Sequence, residues 1–413
     1  MKYFLMPAIA CMLSISLHAQ VFVQDSVTLG SGNTNQSFYS LAQGEQVNTD
    51  NSNWDLQFWL NAFSASVRTN GGAGVKLFDL ASNDTTQWNS VDTTNMTELY
   101  NSDTSWDNGS FNQFATGHPN YGWGQYQSLG TLIGIKIFVI KIHDGSYKKI
   151  WIEKLNNGIV YNIKVANLDN SVESTFTLSK SDYPNKSFVY YSIVNNAVLD
   201  IEPMASDWDI VFRSYLGEVA PFTYYPVVGA LTNIDVQTIE ARGVDLAEAD
   251  PANYSYSNEI SIIGWDWKIF NNTTFTYDVP DSLSYFVKDK DEDVYHIAFD
   301  DYGGSATGKI RFSLTKLNSV GISEIQDRNV ASLSCYPNPA DHVVNFIFDV
   351  KNESEYNLSV IDMSGKELIS NPILAKKGLN NYRIPVEEFA LGSYIISVND
   401  ELGNQSYVRF IKK

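Results

Sequence analysis

Along most of the chain, apolar and polar residues alternate in short runs broken by Gly, Asn, Asp and Ser, the period of half-buried strands. Residues 135–142 are apolar with period-two character and end at His143-Asp144-Gly145-Ser146, a hairpin turn signal. Residues 147–154 return as the partner strand, and 160–165 pair next. A second series repeats the arrangement. Residues 284–287 lead into the acidic turn Asp289-Lys290-Asp291-Glu292-Asp293, residues 295–299 return, and Gly303, Gly304 and Gly308 break the ribbon before 309–317. Antiparallel meanders of this kind bury one face against a second sheet. The pattern predicts an all-β protein: two antiparallel, sandwich-like domains in tandem and a small C-terminal β-sandwich.

The two series are related. Trp54-Asp55-Leu56-Gln57-Phe58 recurs 154 residues on as Trp208-Asp209-Ile210-Val211-Phe212. Lys149-Ile150-Trp151-Ile152-Glu153 lines up with His296-Ile297-Ala298-Phe299-Asp300 at an offset of 147, and Ile163-Lys164-Val165 with Phe312-Ser313-Leu314 at 149. Three collinear matches at near-constant offsets indicate a tandem duplication. The expected division is a leader at 1–19, copies at 20–183 and 184–318, a small and polar linker at 319–330, and a distinct unit at 331–413.

Composition narrows the class. Of 413 residues 18% are charged and 13% aromatic, which disfavours a helical bundle. The net charge of −19 argues against a binder of nucleic-acid backbones, so no nucleic-acid partner is expected. From Arg328 onward the chain is nearly neutral, nine basic against ten acidic residues, so the acidic excess belongs to the two copies. Met1 and Lys2 precede an apolar run to Leu17, then His18-Ala19-Gln20, the layout of a secretory signal cut after Ala19. The run is too short to span a membrane, and no later segment is long enough, so no transmembrane segment is expected in the mature chain. A lipoprotein signal centred on Cys11 is disfavoured because apolar residues continue beyond it. Cys335 is then the sole mature thiol, which excludes an intrachain disulfide and a cysteine-built metal site.

Two family resemblances follow from particular residues. Trp54–Phe58, Arg68-Thr69-Asn70-Gly71-Gly72 and the hairpin at 137–155 resemble the HmuY-type haemophore family. In the second copy Gly264-Trp265, Tyr285-Phe286-Val287, residues 295–299 and Gly308-Lys309-Ile310-Arg311-Phe312 do so too. The resemblance implies an all-β binding domain outside the cell, with haem or a related porphyrin held between two axial ligands. In the tail, Tyr336-Pro337-Asn338-Pro339 is followed by Asp362-Met363-Ser364-Gly365, Gly392-Ser393-Tyr394 and a terminal Lys412-Lys413. That order resembles a type IX secretion C-terminal sorting domain. It implies the type IX machinery as a partner and export across the outer membrane of a diderm bacterium, to the surface or the medium. Pro337 and Pro339 are expected to fix an extended lead-in, and the Ser364-Gly365 step a turn.

Candidate chemistry is sparse. A haem site needs two converging ligands, usually imidazoles. His118 lies in the turn-rich stretch Thr116–Gly122 and can project from it; His143 lies in a hairpin turn, and His296 on a strand. The loop histidine that the haemophore resemblance implies before the final hairpin is missing at 125–129 and at 270–272. Asp289, Asp291 and Asp293 imitate the start of a calcium loop, yet Val294 stands where the sharp turn needs Gly, so a solvated acidic turn is expected. No nucleophile elbow, zinc-protease helix or phosphate loop occurs, and the chain reads as non-enzymatic. Tyr121, Trp123 and Tyr126 cluster in a Gly-rich stretch, as do Tyr224 and Tyr225 before Pro226, where rings can stack on a sugar or a flat ligand or simply pack. Trp54 and Trp208 read as core. The expectation is an exported ligand-capture protein with His118, His143, Tyr121, Trp123 and Tyr126 as candidate contacts and haem as the candidate cofactor. The alternative is a surface adhesin or glycan-binding scaffold.

Overall fold

The structure, a computed structural model, describes residues 22–61, 64–82, 84–317, 330–362, 365–399 and 405–413. The expected leader and all but the last residue of the expected linker lie outside these residues. The chain divides into a body ending at Leu317 and a C-terminal unit beginning at Asn318.

The body is built from strands whose β-branched and aromatic residues alternate between two buried layers. In chain order they are β1 (Val23–Thr28), β2 (Asn35–Ser40), β3 (Gly44–Asp50), β4 (Leu56–Trp59), β5 (Val67–Thr69), β6 (Lys76–Asp79), β7 (Thr97–Leu99) and β8 (Gly124–Ser128). Then come β9 (Thr131–Gly134), β10 (Phe138–Lys141), β11 (Tyr147–Asn156), β12 (Val160–Asn167), β13 (Ser174–Ser179), β14 (Phe188–Ser192) and β15 (Ala197–Leu199). The second half supplies β16 (Ile210–Ala220), β17 (Thr223–Thr232), β18 (Gln237–Arg242), β19 (Ile269–Asn271), β20 (Thr276–Asp278), β21 (Leu283–Lys288), β22 (Val294–Tyr302) and β23 (Lys309–Leu317).

The sheets repeat each other in their main path, although the eight-stranded outer sheet of copy 1 also holds β7, β8 and β9, which have no counterpart in the five-stranded one of copy 2. The path β13-β12-β11-β10-β6 of that outer sheet matches β1-β23-β22-β21-β18, and an inner sheet ordered β15-β14-β4-β5 matches β3-β2-β16-β17. The correspondence extends to irregularities. β11 and β22 each carry a bulge, between Ile152 and Lys154 and between Phe299 and Asp301, 147 residues apart. Ile152 pairs with Ile163 as Phe299 pairs with Phe312.

The expected boundary at 183/184 does not divide the body. β14, beyond that boundary, pairs with β4, whereas β2 pairs with β16 and β1 with β23. Each copy is completed by a three-strand block: β13–β15 follow copy 1 in sequence, and β1–β3, at the other end of the chain, close copy 2. The physical reason is that each block's apolar face is buried only there. Val27, Leu29, Tyr39 and Leu41 join Ile210, Phe212, Tyr285 and Phe312 in one core, and Val189 and Tyr191 join Leu56, Phe58, Phe138 and Ile150 in the other.

The inner sheets also share a layer with each other. Alternate residues Trp54, Phe188 and Tyr190 of one copy and Phe38, Trp208, Val211 and Leu231 of the other form a third cluster, which Trp106 caps with its indole N–H on the Thr232 carbonyl at 2.9 Å. The edge-on pairs Trp54–Tyr190 (4.9 Å) and Phe38–Trp208 (5.1 Å) are equivalents in the duplication. Four sheets thus stack with three cores between them, which is why inner-sheet residues are buried on both faces.

The Asp of each Trp-Asp pair ties a copy to its completing block. The Asp55 backbone N–H bonds the Tyr191 carbonyl and its Oδ2 accepts the Ile193 N–H at 2.7 Å; Asp209 does the same with Tyr39 and with Leu41 at 2.8 Å.

The C-terminal unit is a sandwich of its own. A three-stranded sheet of β24 (Val330–Tyr336), β25 (Val343–Val350) and β28 (Gly378–Pro385) faces a four-stranded one of β27 (Glu367–Ala375), β26 (Ser354–Asp362), β29 (Gly392–Asn399) and β30 (Gln405–Lys412). Val344, Phe346, Val360, Ile396 and Phe410 are fully buried in its core. Pro337 and Pro339 do not form an extended lead-in; they occupy the bend after β24. There Asn338 Oδ1 accepts the Ile411 N–H at 2.9 Å, Asn338 Nδ2 donates to the Arg409 carbonyl at 3.2 Å, and Ala340 bonds the backbone of Ile411 and Lys413. The bend and the terminal Lys412-Lys413, over seventy residues apart, therefore form one feature. Tyr336 is half exposed beside it, whereas Lys412 is buried with its Nζ 3.8 Å from Asp341. Gly365, at φ +85°, follows Ser364, which lies outside the described residues; the Gly365 N–H bonds the Asp362 carbonyl and the Lys366 N–H bonds Asp362 Oδ1, closing the expected turn. Tyr394, two residues after Gly392 at the head of β29, stacks on Phe410 at 5.4 Å and donates its hydroxyl to the Ala390 carbonyl.

Candidate ligand-binding site

The segment preceding β8 folds tightly on itself. Gly117 and Gly122 both take φ +86°, the left-handed region that glycine tolerates, and Gly117 and Asn120 form a bridge. The Tyr126 N–H bonds the Pro119 carbonyl at 2.8 Å, and Asn120 Oδ1 accepts the Gly122 N–H. This folding brings His118, which is exposed, onto Tyr126 with ring centroids 4.6 Å apart, and edge-on to Tyr121 at 6.4 Å. The two tyrosines are half buried and rest on the copy 1 core. Together the three rings make a shelf with one imidazole at the surface.

Trp123 is not part of this shelf. It is fully buried, donates its indole N–H to the Ala65 carbonyl at 2.9 Å and packs beside Tyr161, in the core on whose edge Tyr126 rests. His143 is also committed elsewhere. Its Nδ1 lies 2.8 Å from Asp55 Oδ1, the oxygen that accepts its own backbone N–H, and Asp55 is fully buried. The side chain thus pins the β10–β11 turn to β4. The expected ligand set therefore splits: His118, Tyr121 and Tyr126 converge, whereas Trp123 and His143 serve the fold.

The other readings resolve similarly. His296 is buried, stacks on Phe286 at 4.2 Å and bonds Ser284 Oγ at 2.8 Å; burial lowers its pKa to about 4, so it is neutral at physiological pH. Asp289 Oδ1 accepts the N–H groups of Asp291 and Asp293, both at 2.9 Å, so this carboxylate closes the turn. Among the described residues no group of His, Cys, Asp and Glu could hold a metal ion. Tyr224 forms a second aromatic surface feature, stacked at 3.8 Å and 8° on Tyr100, whose participation no local motif announces; Tyr225 beside it is exposed.

Residues 334–413 match the family model of the secretion system C-terminal sorting domain. The C-terminal unit is a type IX secretion C-terminal sorting domain, which marks the chain for export across the outer membrane to the cell surface or extracellular space. No curated protein matches the chain. Among solved structures, dimeric latent PorU from Porphyromonas gingivalis is similar at 12% identity over 70% of this chain and 32% of that one, with a TM-score of 0.17. The chain spans about a third of that structure's length, and the similarity is too slight to define a shared fold. No helix among the described residues is long and apolar enough to cross a membrane.

Proposed function

We propose that the chain is an exported, non-enzymatic binding protein whose β body holds a ligand outside the cell through aromatic rings at its surface, as a glycan-binding or adhesive module. The observation that carries this reading is the His118–Tyr121–Tyr126 shelf, which offers ring faces beside the polar Asn120 turn. Aromatic faces flanked by amide groups suit sugars, whose apolar faces stack while their hydroxyls hydrogen-bond. The stacked Tyr100–Tyr224 pair offers a further contact of the same chemistry.

Haem capture is the second reading, supported by the haemophore-like motifs and by the exposed imidazole of His118. Its difficulty is the second axial ligand, since the His143 ring is held against Asp55 and His296 is in the core. A haemin titration of the full chain separates the two readings. The glycan reading predicts a Soret band no different from that of haemin mixed with an unrelated acidic protein. A saturable, six-coordinate spectrum at micromolar haemin that is lost in His118→Ala would overturn it in favour of haem.

A further inference from the structure

The layer between the two inner sheets is largely apolar, but it takes in two arginines. Arg68 of β5 and Arg213 of β16 both enter it, only 5% and 4% exposed, with guanidinium groups over Trp106 at 5.0 Å and Trp54 at 4.9 Å. The duplication shows that the layer does not require them. In the register that equates Phe58 with Phe212 and Val67 with Ala230, Leu231 stands in place of Arg68 and Trp59 in place of Arg213.

A buried guanidinium stays charged and is costly without an opposite charge. The arginine ion pairs among the described residues belong to Arg242 and Arg311. Arg68 donates to neutral carbonyls, those of Ser105 at 2.6 Å, Ser102 at 2.5 Å and Asn108 at 3.4 Å. Arg213 Nε has no hydrogen-bond partner, and neither has the hydroxyl of Tyr215, which is 6% exposed. The Arg68, Arg213 and Tyr215 side chains line one small cavity of about 20 Å³, room for one small species, together with Gln57 and Asp103. The carboxylate whose charge reaches Arg68 is that of Asp103, whose Oδ2 also accepts the Glu218 N–H at 3.2 Å. Two cations against one carboxylate leave one positive charge, and unpartnered donors from Arg213 and Tyr215 line the same space.

We propose that this cavity binds one small monovalent anion, a halide or a compact carboxylate such as formate, between Arg68 and Arg213. Burial, together with the repulsion between the two guanidinium groups, lowers the pKa of Arg68 to about 9, and the anion cancels that repulsion. It also gives the Arg213 Nε–H and the Tyr215 hydroxyl an acceptor and ties β5 of one copy to β16 of the other. The site is independent of the aromatic shelf.

The test uses the full chain at constant ionic strength, with sodium bromide or sodium formate replacing sodium gluconate, which is too bulky for the cavity. Because the anion binds only the folded state, the unfolding midpoint should rise by roughly 2–3 °C per tenfold increase in anion above saturation. Arg213→Met, which removes the charge while keeping an apolar stem over Trp54, should abolish the response. Tyr215→Phe, a variant that keeps the ring, should weaken it several-fold. Crystals soaked in bromide should show an anomalous peak between the two guanidinium groups. A response to bromide and formate alike, or to either alone, supports the site and reports which anion class it accepts. An equal shift in wild type and Arg213→Met, or no peak in the soaked crystal, overturns it.

Discussion

Gly72→Ala should lower the stability of the body by about 3 kcal/mol or more, at or beyond the upper end of what overpacking usually costs. A Cβ placed on Gly72 meets the Ser214 carbonyl oxygen at 2.2 Å and its carbon at 2.5 Å. Both are backbone atoms of β16, so no rotamer change can relieve the clash. Next to it, Gly71 also lies close to β16, an added Cβ meeting the Leu216 Cβ at 2.7 Å. Together the two glycines let copy 1 sit directly on a strand of copy 2. Denaturant unfolding of wild type and variant measures the loss. A change below 0.5 kcal/mol would mean that the inner sheets are not packed this closely.

Removal of residues 22–50 should unfold copy 2 and leave copy 1 largely intact, although the deletion lies next to copy 1 in sequence. The deleted block contributes Val27, Leu29, Phe38, Tyr39 and Leu41, each at most 4% exposed. At about 2–3 kcal/mol for each large buried side chain the loss is of order 10 kcal/mol, comparable with the whole stability of a domain. Copy 1 keeps its own completing strands, β13–β15. Hydrogen exchange reads the outcome directly: amides of β21–β23 should lose protection, whereas those of β10–β12 retain it. Loss of protection in copy 1 alone would contradict the pairing of β1 with β23 and β2 with β16.

The strands and the duplication are legible in the sequence because period-two alternation and the Trp-Asp-x-x-Phe repeat are local signals. The hairpin at 143–146 and the strands at 147–154 and 160–165 fall where the pattern places them. How the copies are completed is not legible, because it depends on strands almost three hundred residues apart, and neither block carries a local sign of which copy it joins. The site was half legible. Glycine around 117–122 signals a folded loop, but whether an aromatic there is left half buried, as Tyr126 is, or fully buried, as Trp123 is, depends on how the loop and β8 pack against the core. Arg68 and Arg213 were hidden for a related reason. A charged residue at an alternate strand position reads as solvent-facing, and only back-to-back packing of two sheets buries that face.

The claim that the shelf is a ligand-binding surface is tested most directly on a glycan array probed with the full chain, Tyr126→Ala and His118→Ala side by side. Tyr126 and His118 make their ring contact at the surface, so both variants should fold as wild type does. The account predicts binding to a limited set of sugars, reduced at least tenfold by Tyr126→Ala, the loss of one stacked ring. Binding that is unchanged in both variants would place the ligand elsewhere on the body, and the shelf would then be surface packing only.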